Sequence, residues 1–245
     1  VPKSKTPIFN EKAHTYTDPT DGFVYTSVTR WVGKFKEPFD ERGTAERIAA
    51  REGIPVEMIL DEWKEIRDNS CEFGTAVHKL LEVYHTEKKV INRTLAPILQ
   101  KFKALKITFN KNTHFEKLVY NRKLGIAGMS DIISHNADGK TFDVFDFKTN
   151  KKLRYVSDYD DNLLEPLEHY PCCEYYSYAM QLSMYAYLYK NMSGLEPRRL
   201  KIFWYERENP DNYKDLNGAW KIVDIPYLEE DIKRCLQHEK QTVLA

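Results

Sequence analysis

The stretch Asp143-Val144-Phe145-Asp146-Phe147-Lys148-Thr149-Asn150 limits what this chain can fold into. Short, apolar and punctuated by charge, it reads as a strand. In an extended strand Asp146 and Lys148 project to one side, with Phe147 buried behind them. A carboxylate and an ammonium side by side at a strand end can hold a divalent cation and an attacking water together. The same triplet also occurs as a surface ion pair, so its meaning rests on its company. That company is Asp131 and Glu116 before it, His78 further upstream, and Gln181 and Tyr185 downstream.

The chain has 245 residues, within the reach of one α/β unit of about 200–250 residues. Lys plus Arg and Asp plus Glu each number 37, giving no net charge. A neutral chain is not a general polyanion binder, so any nucleic-acid contact must come from local basic patches. No apolar run reaches the roughly 18 residues that span a bilayer, and no signal-peptide pattern opens the chain. The expectation is a cytoplasmic protein with no membrane partner. The four cysteines are Cys71, Cys172, Cys173 and Cys235. An adjacent pair cannot supply the spaced ligands of a zinc site, and four are too few for a secreted framework, so reduced thiols are expected. There is no G-x-x-x-x-G-K loop to cradle a nucleotide.

Read in order, the chain is one domain in three parts. Residues 1–35 form a hairpin region, with a turn near Pro19–Gly22 and Ser27 capping a short helix. Residues 36–110 are mostly helical, with helices over 41–52, 56–68, 71–87 and 96–109. Residues 111–245 carry a meander of strands at 115–120, 126–134 and 141–148. Then come a long mixed loop over 150–173, a Tyr-rich helix at 174–189, strands at 200–205 and 220–225, and a closing helix at 227–240.

Gly74, His78 and Glu82 are four apart and share one helical face. A helix glycine costs about 1 kcal/mol against alanine, so it marks close packing. A lone His on such a face is commonly a core residue bonded to a carbonyl; here it could also reach a metal or a phosphate. Asp131 sits in the otherwise apolar strand Ile126–Ser134, where an unpaired carboxylate is costly. With Glu116 and Asp146 it would supply the hard oxygen ligands that Mg²⁺ or Mn²⁺ prefers. Ion pairing with Lys148 explains one such carboxylate, but not three on neighbouring strands. Gln181 and Tyr185, four apart, share a face that packing alone would explain. Lys148, Lys151, Lys152 and Arg154 form a basic run, ordinarily a solvated loop, which beside a metal site would suit a phosphate backbone.

Taken in order, Gly74…His78…Glu82, Gly128-Met129-Ser130-Asp131, Asp146-Phe147-Lys148 and Gln181…Tyr185 resemble the motifs of the PD-(D/E)XK nuclease superfamily, in its RecB-like branch. The resemblance covers about residues 70–205. Ser27-Val28-Thr29-Arg30 and Asp146-Phe147-Lys148-Thr149 are similar to segments of the mitochondrial genome maintenance exonucleases and their phage-encoded relatives. The resemblance implies an α/β (α+β) fold with a restriction-endonuclease-like core, a central mixed sheet flanked by helices, and an N-terminal helical region. It implies a Mg²⁺- or Mn²⁺-dependent exonuclease acting on DNA, with single strands bearing a free end as the expected substrate. Alternatives are a double-strand-end exonuclease of recombination or repair, and a non-catalytic nucleic-acid-binding module. Asp131, Asp146, the Phe147 carbonyl and His78 would hold metal, and Glu116 a second position or a water. Lys148 would position the attacking water. Gln181, Tyr185, Lys151, Arg154 and Arg30 would contact DNA. The cysteines do not match the iron–sulfur pattern of some relatives, so no cluster is expected. A helicase, polymerase or single-strand-binding protein is a conceivable partner. With no mitochondrial leader visible, the expected setting is a bacterial or phage-infected cell. The helical part, residues 36–110, would arch over the site, with Trp31, Phe35 and Trp63 as candidate base-stacking rings.

Overall fold

The computed structural model describes residues 5–11 and 13–244. Three short strands, β1 (Ile8–Asn10), β2 (Thr15–Thr17) and β3 (Val24–Ser27), form two successive hairpins. The second turns where Asp18 and Asp21 cap backbone amides and Gly22 takes a positive φ. Ser27 then caps α1 (Val28–Gly33), its hydroxyl accepting the Arg30 amide as its sequence position predicts. Helix α2 (Glu41–Glu52) stops at left-handed Gly53.

Next comes α3 (Val56–Glu87), a single 32-residue helix about 48 Å long. The sequence predicts a break near Asn69-Ser70, and there is none. Neither residue is a proline, and their helix penalties are small beside the burial of Phe73, Val77, Leu80 and Leu81 one turn on. Helix α4 (Ala96–Ala104) is shorter than the predicted 96–109. Lys106, with a φ of +54°, turns the chain out of the helix.

The meander follows as expected: β4 (Thr113–Asn121), β5 (Ile126–His135) and β6 (Thr141–Lys148), all antiparallel. Helix α5 (Glu174–Ser193) crosses to β7 (Glu196–Arg207), parallel to β6; β8 (Gly218–Ile225) returns antiparallel, and α6 (Glu229–Leu244) closes the chain. The eight strands make one mixed sheet ordered β1-β2-β3-β5-β6-β7-β8, with β4 also on β5.

Helices cover both faces. On one, α1, α5 and α6 bury Val28, Trp31, Met180, Leu188, Ile232 and Leu236 against Phe142 and Val144. On the other, α3 and α4 bury Phe73, Val77, Leu99 and Phe102 against Phe147 and Phe203. Alternate residues of β6 thus serve opposite layers. The loop over 150–173 is ordered at its far end. Leu163 and Leu167 enter the α5 core, Leu164 donates its amide to the Phe35 carbonyl, and Asn162 bridges to Pro171. Helix α2 packs on the first half of α3 in its own small cluster, Ala45, Ala49 and Ile59 with Trp63. The second half of α3 and all of α4 lie on the sheet instead, so residues 36–110 do not form one arch over the site. Trp31 and Phe35 are core side chains at 1% and 3% exposure, unable to stack on bases. All four cysteines are free thiols, and no helix among the described residues is long and apolar enough to cross a membrane.

Between α3, α4 and β4, His85 stacks on Phe115 with ring centres 5.2 Å apart, and Phe102 and Phe109 meet it edge-on. Its Nε2 is buried without a hydrogen-bond partner among the described residues. Burial, aided by Lys88, pushes the imidazole from 6.5 down to about 4. The native state therefore binds this proton less readily than the unfolded chain. Its stability contribution is complete above about pH 6.5 and is lost as pH falls through about 4. Replacing His85 with Phe should flatten this acid limb. Between pH 6.5 and 4 the wild type should lose about 1–2 kcal/mol relative to His85→Phe, the partial exposure of the ring reducing the full effect of the shift, read by urea denaturation across that range.

Candidate functional site

The β5–β6 ladder pairs Ile132–His135 with Phe142–Phe145 and then stops. Its next rung would set Asp131 against Asp146. Instead the Phe147 amide donates to Asp131 Oδ2 at 2.7 Å, so a side chain takes a donor that a ladder would give to backbone. The opposite edge of β5 belongs to β4, whose register places Glu116 across from Asp131. Glu116 has a φ of +48°, a left-handed conformation that costs a non-glycine residue of order 1 kcal/mol or more. The three acids predicted from sequence thus lie around the point where two strands part, one of them in strained backbone.

Both helical layers reach into this gap. From α3, His78 Nδ1 lies 3.2 Å from Asp131 Oδ2, and its ring meets the Phe147 ring edge-on at 5.8 Å. Gly74, one turn earlier, explains how α3 comes so close: a Cβ there would stand 3.2 Å from Thr149 Oγ1. From α5, the Tyr178 ring lies 4.7 Å from Lys148 Nζ. Gln181 Nε2 donates to the buried Tyr185 hydroxyl at 3.0 Å. Gly128 is packed closer still than Gly74, and of the two only it excludes a side chain: its Cβ would fall 2.7 Å from Tyr185 and 2.8 Å from Val28. Lys148 forms a close ion pair with Asp146.

The electrostatics follow from crowding. Burial alone would raise Asp131, but His78, Lys148 and the Phe147 amide together hold it below the usual carboxylate range. Burial and the Asp131 charge push Asp146 up to about 6 against the pull of Lys148. Partial desolvation and the same charge push Glu116 up to about 7, an effect that solvent moderates because the residue keeps an exposed surface. His78 is raised: burial opposes its charge, but Asp131 outweighs that. Lys148 is raised as well, burial being outweighed by Asp146. The cluster has more negative charge than its own cations neutralise.

Other predicted residues lie further out. Lys151 is exposed and paired with Asp211. The Arg154 guanidinium is tied up by Glu174 and Asp158. Arg30 is exposed on α1, with no ion pair among the described residues. Glu82 pairs with Lys79 at 2.7 Å. Three residues that sequence reasoning did not assign to the site belong beside it. Tyr178 shares a helical face with Gln181 and Tyr185 at spacings of three and seven, a signal that was available. Thr149 adjoins the motif. Tyr16, brought in by the N-terminal hairpin, has its phenol oxygen at the Met129 amide; burial first, and Glu116 after it, push it up to about 12. No local pattern announces that contact.

A cleft of about 570 Å³ opens beside Tyr178, the ring that lies over Lys148, lined by Lys36, Phe39, Arg47, Tyr159 and Glu174 among others. A larger cavity of about 710 Å³ around His85 and Phe109 has no carboxylate in its lining and stands apart from the acids.

The donor set suits a hard divalent cation: carboxylate oxygens, among them the buried Asp146 Oδ2 that Lys148 now holds, and an imidazole. Among the described residues no three His, Cys, Asp or Glu side chains are gathered to share one ion as they stand. Asp131 faces His78 and Asp146 faces Lys148, so taking up an ion requires these side chains to turn.

No family model matches the chain, and no curated protein matches it either. Among solved structures, a protein from Eubacterium rectale provisionally named an exonuclease shares 13% identity at a TM-score of 0.40, with 89% of this chain and 80% of that chain covered. A second, SSO0001, shares 16% identity at a TM-score of 0.32, covering 89% and 74%. Likenesses this distant leave the functional reading to the site's own geometry.

The two glycines should respond differently to substitution. Gly128→Ala forces a methyl into Tyr185 and Val28 and should destabilise by about 1–3 kcal/mol. Gly74→Ala should be near neutral, since a helix-propensity gain of about 1 kcal/mol offsets a tight contact with Thr149. Thermal denaturation of the two variants checks this ordering.

Proposed function

We propose that this chain is a metal-dependent deoxyribonuclease of the PD-(D/E)XK type, an exonuclease on single-stranded DNA with a free end. The observation that carries this reading is the parting of β5 and β6, which leaves Asp131, turned to His78, across the gap from the Asp146–Lys148 pair. Asp131, Asp146 and His78 would hold Mg²⁺ or Mn²⁺ with the Phe147 carbonyl, and Glu116 would serve a second position. When bound, the ion would lower the pKa of water and stabilise charge on a phosphate under attack.

The chain's own groups do the rest. Lys148, kept charged by Asp146, would position the attacking water and offset developing negative charge. The Tyr178 ring covers that ammonium and keeps bulk water from it. His78 holds the orientation of Asp131, and the Gln181–Tyr185 bond fixes a polar face of α5 toward the gap. The cleft beside Tyr178 supports the single-strand preference. Phe39 and Tyr159 stand 67% and 85% exposed at its walls, flat surfaces on which unpaired bases can stack. Lys151 and Arg30, both exposed, would follow the backbone; Arg154 would have to leave Glu174 to do so.

The test uses purified protein with Mg²⁺ or Mn²⁺ and end-labelled linear single strands, beside circular single strands, blunt duplex and Lys148→Ala. Linear strands alone should be degraded, and the variant should be slower by roughly 10²–10³-fold. Equal digestion of duplex would replace this reading with a double-strand-end exonuclease. Equal cutting of closed circles would remove the need for a free end. No cutting under either metal would leave a binding module.

A further inference from the structure

Arg207 ends β7 three residues beyond Trp204, the residue in register with Lys148. At about 3.3 Å per residue these positions are about 10 Å apart along the strand. Arg207 is only 5% exposed, and its Nε, Nη1 and Nη2 are all buried with no hydrogen-bond partner among the described residues. It makes no ion pair among those residues either. What it does meet is a pair of rings: its guanidinium carbon lies 4.8 Å from the centre of Phe73 and 4.5 Å from that of Tyr213. Ring faces attract the charge but satisfy none of its five N–H donors. A guanidinium cannot escape by losing its proton, and unmet donors in a protein interior are expensive. The position is therefore built for an anion. The planar fork matches a phosphate or a carboxylate through two parallel hydrogen bonds.

Its surroundings favour phosphate. Phe73 directly precedes Gly74, the residue that packs on Thr149 next to Lys148, so Arg207 lies on the α3 face of the sheet, opposite Lys148 but on the side from which His78 reaches the gap. Its cover is Tyr213, in the turn between β7 and β8. The base of that turn is fixed by Leu216, whose carbonyl accepts from Tyr205 and Lys101; its tip around Tyr213 is held by packing on Phe73, by a long hydrogen bond from the Tyr213 hydroxyl to the Ile66 carbonyl, 3.3 Å, and by the ion pair of Asp211 with exposed Lys151. A polyanion reaching the site competes with Asp211 for Lys151 and so loosens the turn. We propose that Arg207 is a phosphate site for the nucleic-acid strand, uncovered when the Tyr213 turn moves aside. The anion site stands on its own; that its phosphate belongs to the strand rests on the nuclease reading.

Two metal-free measurements separate these levels. Inorganic phosphate should raise the melting temperature of the wild type but not of Arg207→Met, a variant that replaces an unmet buried charge with an apolar chain of similar length. A fluorescent single-stranded oligonucleotide should bind Arg207→Met roughly tenfold more weakly, with a log–log salt slope smaller by about one. Tyr213→Ala, which leaves Arg207 in place, should reach its phosphate-induced shift at several-fold lower concentration. A phosphate shift lost in Arg207→Met with unchanged oligonucleotide affinity would keep the anion site and overturn its assignment to the strand. Equal phosphate shifts in wild type and Arg207→Met, or none in the wild type, would overturn the site altogether. Because neither measurement requires cleavage, an inactive protein would count against the nuclease reading and not against this one.

Discussion

One hydrogen bond organises this molecule: the amide of Phe147 given to the carboxylate of Asp131 instead of to a neighbouring strand. Two antiparallel strands held by a regular ladder would leave no room for anything between them. By ending the ladder at Ile132–Phe145, that bond opens the middle of the sheet at the point where its charged residues sit. The gap is reached from both faces, by His78 on α3 and by Tyr178 and Tyr185 on α5. A three-layer architecture in this way converts an interruption in a sheet into a site surrounded on all sides.

The same interruption explains the electrostatics. Three carboxylates drawn to one place repel one another, and the interior amplifies this by removing water. His78 and Lys148 offset part of it, enough to keep Asp131 ionised but not enough to bring Asp146 and Glu116 to ordinary values. Strain at Glu116 belongs to the same account, since an acid in left-handed backbone is tolerated only where the surrounding structure fixes it. A cation with a preference for oxygen would relieve the repulsion that Lys148 and His78 offset only in part.

Much of this was legible in the sequence because it was local. The meander, the exact span of β6, the Ser27 cap and the stop at Gly53 each follow from a few adjacent residues. So did the acids themselves, whose cost inside apolar strands demanded an explanation. What was not legible depended on distant partners. The join of two predicted helices into α3 is decided by a core that Phe73 and Val77 find only after folding. Tyr16 reaches the site through a hairpin 100 residues before Glu116 and 113 before Met129 in sequence — a contact with no local signature. Trp31 and Phe35, which could have been stacking rings, are buried because α1 turns them beneath α6 and the 150–173 segment.

The most direct test of the central claim, that the parted strands form a divalent-cation site, is isothermal titration with Mn²⁺. It would compare the wild type with Asp131→Asn and Asp146→Asn, each first shown to be folded by circular dichroism. Saturable binding in the wild type that falls at least tenfold in both variants is the predicted result. Binding of equal strength in all three, or none in the wild type, would contradict the account.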